Sequence, residues 1–139
     1  MEEVLQLLRE QAETLSHGLE LPDEDDLLDI QEQLLIHLPY DLRMYLLLAS
    51  DVVAGTLEPV TASDPNAHTY LPEVAATAWD QGLPRHLLPV CTHADGYYAI
   101  EQDGEVVSWS SSQQDFLGDS WDNLWYWIRD CWLEHSWQD

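Results

Sequence analysis

Between two apolar runs, Tyr97–Gln102 and Glu105–Trp109, lies the dipeptide Asp103-Gly104. A two-residue Asp-Gly connection favours a type I′ turn, where both central residues need φ > 0. The spacing predicts a β-hairpin within Leu88–Trp109. With a two-residue loop, the facing pairs are Gln102/Glu105, Glu101/Val106, Ile100/Val107, Ala99/Ser108 and Tyr98/Trp109. Period-2 alternation then places Tyr98, Ile100, Val107 and Trp109 on one face and Ala99, Glu101 and Ser108 on the other. A hairpin with one apolar face is marginal alone. Neighbouring helices must cover it.

Helical spacing supplies the candidates. Glu2–His17 sets Val4, Leu5, Leu8, Ala12 and Leu15 on one stripe, with Gly18 in the place of a terminating glycine. Asp23-Glu24-Asp25-Asp26 opens a second helix, because carboxylates in a first turn meet free N–H groups and the positive end of the helix dipole. Its buried stripe is expected at Leu27, Ile30, Leu34 and Leu35. Capping accounts for one or two of the four acids; the others are solvated or face a partner. Leu38-Pro39 restarts the chain into Tyr40–Ser50, which is apolar nearly all round and is expected inside. An extended segment near Leu57–Val60 and a loop follow, and Pro72 and Gly82 bracket a short helix over Glu73–Gln81. Ser110–Gly118 reads as a polar connection. Ser120 would then cap a last helix whose stripe is Trp121, Leu124, Trp125, Ile128, Cys131, Trp132 and His135. Trp127 and Tyr126 fall off that stripe, where they make either a second buried contact or an exposed aromatic patch.

The chain has 139 residues, is 45% hydrophobic and holds seven Trp, enough for one folded domain over 1–139 despite a formal charge of −23. The acidity is spread over the whole length: residues 1–69 carry −13 and residues 70–139 carry −10, with no Lys anywhere. Such a field repels phosphate and anionic lipid, which argues against nucleic acid and membrane, and it attracts basic proteins. Met1–Leu8 carries Glu2 and Glu3 and reads as amphipathic helix, not as a secretory leader, and no apolar run approaches a membrane span. The expected setting is cytoplasmic and reducing, with Cys91 and Cys131 as free buried thiols.

No pattern makes a positive case for catalysis, a metal or a cofactor. Cys91-Thr92-His93 lacks the second ligand pair of a zinc site. The six His show no H-x-x-x-H or H-E-x-x-H spacing. Asp23–Asp26 lacks the glycine and distant Glu of a calcium loop. There is no nucleophile elbow, phosphate loop or dinucleotide fingerprint.

The order of these segments resembles the Smi1/Knr4 family, also called the SUKH superfamily, from about Asp23 to Trp132. The residues that carry the resemblance are Leu38-Pro39 with Leu42, Tyr45 and Leu46, Leu88-Pro89 with Gly96, and Asp103-Gly104-x-Val106-x-x-Trp109. The resemblance implies an α+β fold with helices packed on one face of a largely antiparallel sheet around a central β-hairpin. It also implies a protein-binding module and not an enzyme: bacterial members are often immunity proteins that neutralise secreted toxins, frequently nucleases, and fungal members are scaffolds in cell-wall signalling. The expectation is therefore a basic protein partner, such as a toxin held inactive. The alternatives are a regulatory or scaffold domain without a toxin, and a small-ligand binder or enzyme using a pocket beneath the Trp-rich helix. The expected partner-facing residues are Asp23, Glu24, Asp25, Asp26 and Asp29 at the start of the second helix, and Glu101, Asp103 and Glu105 at the hairpin tip.

Overall fold

The computed structural model describes residues 1–11, 21–52 and 57–133. Four helices come first: α1 (Glu2–Gln11), α2 (Glu24–Leu34), α3 (Tyr40–Ala49) and α4 (Leu71–Asp80). The strands β1 (Leu88–His93), β2 (Gly96–Ile100), β3 (Val106–Ser110) and β4 (Asp115–Trp121) follow, and α5 (Leu124–Trp127) runs on into a π-helical stretch, Ile128–Trp132. The sheet is antiparallel throughout, in the order β1-β2-β3-β4. The α+β expectation holds.

The predicted α1 stripe is buried at Val4 and Leu8, and Leu5 packs against the same cluster. Ala12, Leu15 and Gly18 lie outside the described residues. Arg9 fastens α1 to the end of α3, with ion-pair contact to Asp51 at 2.9 Å and a hydrogen bond to the Leu48 carbonyl. In α3, Leu42, Tyr45, Leu46 and Ala49 are buried, but Tyr40 is 68% exposed and Leu48 is also exposed. The helix therefore keeps one wet side, contrary to the expectation of full burial. Pro39 is its N-cap. The 57–61 segment meets the sheet through a Pro59–Cys91 bridge. In α4, Leu71, Ala75 and Ala78 are buried.

The hairpin exists, but its register differs by one residue from the expected one. Ile100 faces Val106, Ala99 faces Val107, Tyr98 faces Ser108 and Tyr97 faces Trp109. The loop has three residues: the Gly104 N–H donates to the Glu101 carbonyl, and Glu101 and Glu105 close it. Gly104 alone takes a positive φ, +101°. This is a turn of type I geometry ended by a left-handed glycine, which Asp-Gly serves as well as it serves a type I′ turn. A slip of one residue turns every side chain of a strand to the opposite face. Trp109 and Val107 accordingly leave Tyr98 and Ile100 and join Tyr97 and Ala99 in a small cluster with Ala78, Leu83 and Leu87. The main core takes Ile100 and Val106, with Tyr98 packed against it.

The aromatic helix covers that second face. The Tyr98 ring lies 5.4 Å from Trp127 and 5.8 Å from Trp121 between centroids. Trp127 is buried, so the helix is enclosed on two sides, while Tyr126 is exposed beneath Arg129, 4.7 Å from its ring centroid. Trp127 and Trp132, five residues apart across the π-helical stretch, are both buried with their ring centroids 6.5 Å apart. His135 lies outside the described residues. Two expectations are corrected in this region. The end of the Ser110–Gly118 segment is not a loop but the start of strand β4, and the cap is Asn123, whose side chain accepts from the Tyr126 N–H, and not Ser120, which pairs with Val107. Polar composition hid the strand: Asp115–Ser120 are all exposed, and only Trp121 turns partly inward.

Candidate functional site

The start of α2 is a capping box. The Asp23 carboxylate accepts from the Asp26 N–H at 2.9 Å, and Asp26 accepts from the Asp23 N–H at 3.0 Å. Glu24 pairs with Arg43 of α3. These three acids are occupied by the fold. Asp25 and Asp29 are exposed and have no ion pair among the described residues.

At the hairpin tip, the Asp103 carboxylate accepts from the Glu105 N–H, holding the loop. This crowds three carboxylates on one turn. Partial burial, a hydrogen bond with Glu105 and the charges of Asp103 and Glu105 push the Glu101 carboxyl above its ordinary value, against a weaker pull from His86. His86 stands 3.9 Å from Glu101, at the limit of ion-pair distance.

The two acidic groups come from distant parts of the chain but border common ground. The Gln102 side-chain amide donates to the His37 carbonyl at 3.0 Å, joining the hairpin tip to the α2–α3 connection. The first turn of α3 touches both groups: Arg43 reaches Glu24, and Asp41, whose carboxylate accepts from Trp125 Nε1, lies beside Gly104. Between them, on the outer side of α2, is an open groove of about 230 Å³ lined by Leu28, Gln31, Glu32, Leu35, Ile36 and His37.

Sequence reasoning missed this groove. Leu27, Ile30 and Leu34 are buried as expected, but Leu35 is 88% exposed and Leu28 is 52% exposed. Leu35 is the C-cap, with φ 58° and ψ 31°, a left-handed conformation usually reserved for Gly or Asn. The missing glycine after Leu34 was the available signal.

All four Arg are engaged within the chain. Arg9, Arg43 and Arg129 pair with Asp51, Glu24 and Asp130, and Arg85 lies over the Trp79 ring, 4.5 Å from its centroid. The acids around the groove therefore have no Arg to balance them.

His93, Ser108 and Asp95 lie close together, yet their hydrogen bonds do not form a nucleophile. His93 Nδ1 accepts from the Asp95 main-chain N–H, so in the neutral ring Nε2 carries the proton and donates to Ser108 Oγ at 3.2 Å. A base must accept from the hydroxyl instead. The Asp95 carboxylate is turned to Ser110 and Ser112, which hold it below the ordinary carboxylate range. Cys91 and Cys131 are free and buried, and burial pushes the Cys91 thiol up to about 12, far from a reactive thiolate. Among the described residues, no group of three or more His, Cys, Asp or Glu is placed to hold a metal ion, and no helix is long and apolar enough to cross a membrane.

Comparison with known proteins adds three findings. A family model, SUKH_5, described as SMI1-KNR4 cell-wall, matches residues 1–133. None of the curated proteins compared with the chain matches it. A crystal structure of a protein from Pseudomonas syringae pv. tomato is 52% identical, with a TM-score of 0.91, over 96% of this chain and 99% of that one.

Proposed function

The chain belongs to the SMI1-KNR4 family, and on that premise we propose that it is a non-catalytic protein-binding domain, specifically an immunity-type protein that binds a basic toxin and holds it inactive. The observation that carries the reading is the engagement of every Arg inside the chain. Asp25 and Asp29 on α2 and the crowded Glu101, Asp103 and Glu105 have no Arg partner within the chain, and they are the acids offered to an external cation. Carboxylates that repel one another in the free protein gain when a Lys or Arg arrives between them. The mechanism is occlusion: the field speeds encounter, and apolar contacts set the lifetime of the complex. The arrangement of His93 and Ser108 supports a binding role over hydrolysis.

The test is co-production with the product of the neighbouring reading frame in the native host. The expected result is restored growth and a complex whose association slows about tenfold or more in the double variant Asp25→Lys/Asp103→Lys, with a flatter salt dependence. Growth inhibition that the protein does not relieve would overturn the toxin assignment. Persistent binding without relief would favour a regulatory or scaffold domain.

A further inference from the structure

We infer that the groove on the outer side of α2 is a docking site for a basic segment of a partner protein, one that carries a large apolar anchor between cationic side chains. This rests on the basic-partner reading and specifies where and how that partner is held. Leu28 of α2 and Leu35 at its C-cap are two turns apart on one side of the helix and stand 52% and 88% exposed, off the stripe of buried Leu27, Ile30 and Leu34. At Leu35 the fold holds a large apolar side chain in water on a left-handed backbone, a conformation in which the Cβ of an L-residue crowds the following carbonyl. Packing of this side chain inside the protein does not offset that crowding. At about 230 Å³, the groove falls below the ~300–1,000 Å³ of small-molecule sites and suits a single side chain.

Charge selects the occupant. Asp25, Asp29 and Glu32 flank the groove along α2, over about 10 Å at 1.5 Å per residue, and α2 contains no basic residue. At the other end, the His37 carbonyl accepts from Gln102, which brings the hairpin acids to the groove's border. An apolar centre with acids at both ends complements a cation–apolar–cation pattern. A second copy of this chain, at −23, would bring acid against acid.

The test uses a fluorescent Lys/Ala peptide of about 15 residues, long enough to form helix, with Leu at its centre, and a matched peptide with Ser in place of Leu. Anisotropy at physiological salt is expected to show the Leu peptide binding about tenfold tighter, as a central apolar anchor requires. Leu35→Gly and Leu28→Ser should erase that difference, while Leu35→Gly, freed of the left-handed strain, melts no lower than the parent. Equal binding of the two peptides, indifference to both substitutions, or a dimer of the unliganded protein that Leu35→Gly dissolves would each overturn the inference. Undiminished toxin neutralisation by Leu28→Ser/Leu35→Gly would overturn the groove and leave the basic-partner reading standing. Failure to neutralise any toxin, with peptide discrimination intact, would overturn the toxin assignment and keep the groove.

Discussion

Gln102 and His37 are 65 positions apart in the chain, and the side-chain amide of one donates to the main-chain carbonyl of the other over 3.0 Å. Through this bond the hairpin tip and the α2–α3 connection share a position. Because Gln102 is exposed, Gln102→Ala should cost about 0.5–1 kcal/mol, the low end for a hydrogen bond. The larger effect is local. Amide exchange at Gly104 and Glu105 should accelerate while that of the β2 and β3 centres stays unchanged, and equal rates at the tip would refute the fastening role.

A Cβ added at Gly96 would stand 2.1 Å from the Trp109 carbonyl oxygen, a main-chain atom that cannot turn aside. Gly96→Ala must spread β2 from β3 beside the Trp109 cluster. The expected loss is about 1–3 kcal/mol, measured by urea titration. A variant as stable as the parent would refute the close approach of β2 and β3 at this position.

Burial holds the His93 imidazole below its ordinary value, more strongly than the Asp95 charge raises it. The unfolded chain takes up this proton near pH 6.5, the folded chain only at lower pH. The stability contributed by neutral His93 is therefore present above about pH 6.5 and lost as pH falls from there toward the folded value. His93→Gln removes this contribution. The stability gap between parent and variant should shrink from pH 7.5 to pH 5.5, and a gap that widens would reverse the assigned sign.

Self-repulsion at −23 predicts a melting temperature that rises with salt. The screening length falls from about 30 Å at 0.01 M to about 8 Å at 0.15 M, which shortens the reach of carboxylates spread over both halves of the chain. A melting temperature that does not move across this range would contradict the prediction.

Helix α2 was readable in the sequence because capping and periodicity agreed there. Capping engages Asp23 and Asp26, in keeping with a capping role for one or two of the four acids, and Leu27, Ile30 and Leu34 are buried together. The hairpin was readable as an object but not in its register. Asp103-Gly104 satisfies both a two-residue and a three-residue loop, and the choice is settled by long-range packing of Trp109 beside Tyr97 and Leu87. Strand β4 was hidden because an exposed edge has no buried alternation to display. For the candidate site, the acids could be named from residue type, but their relation could not. Gln102 meeting His37, and the apolar floor between the two groups, are consequences of tertiary packing.

The rim formed by β4 bears on how such a molecule behaves in company. Between Val107/Ser120 and Trp109/Phe116 the ladder is interrupted on the β4 side around Gly118, whose φ is +95°, and Asp115 and Asp119 stand along the same stretch. Broken spacing and negative charge deny an incoming strand a straight row of amides to zip onto. Along this edge the backbone is a poor template, which leaves contact with other molecules to side chains that discriminate.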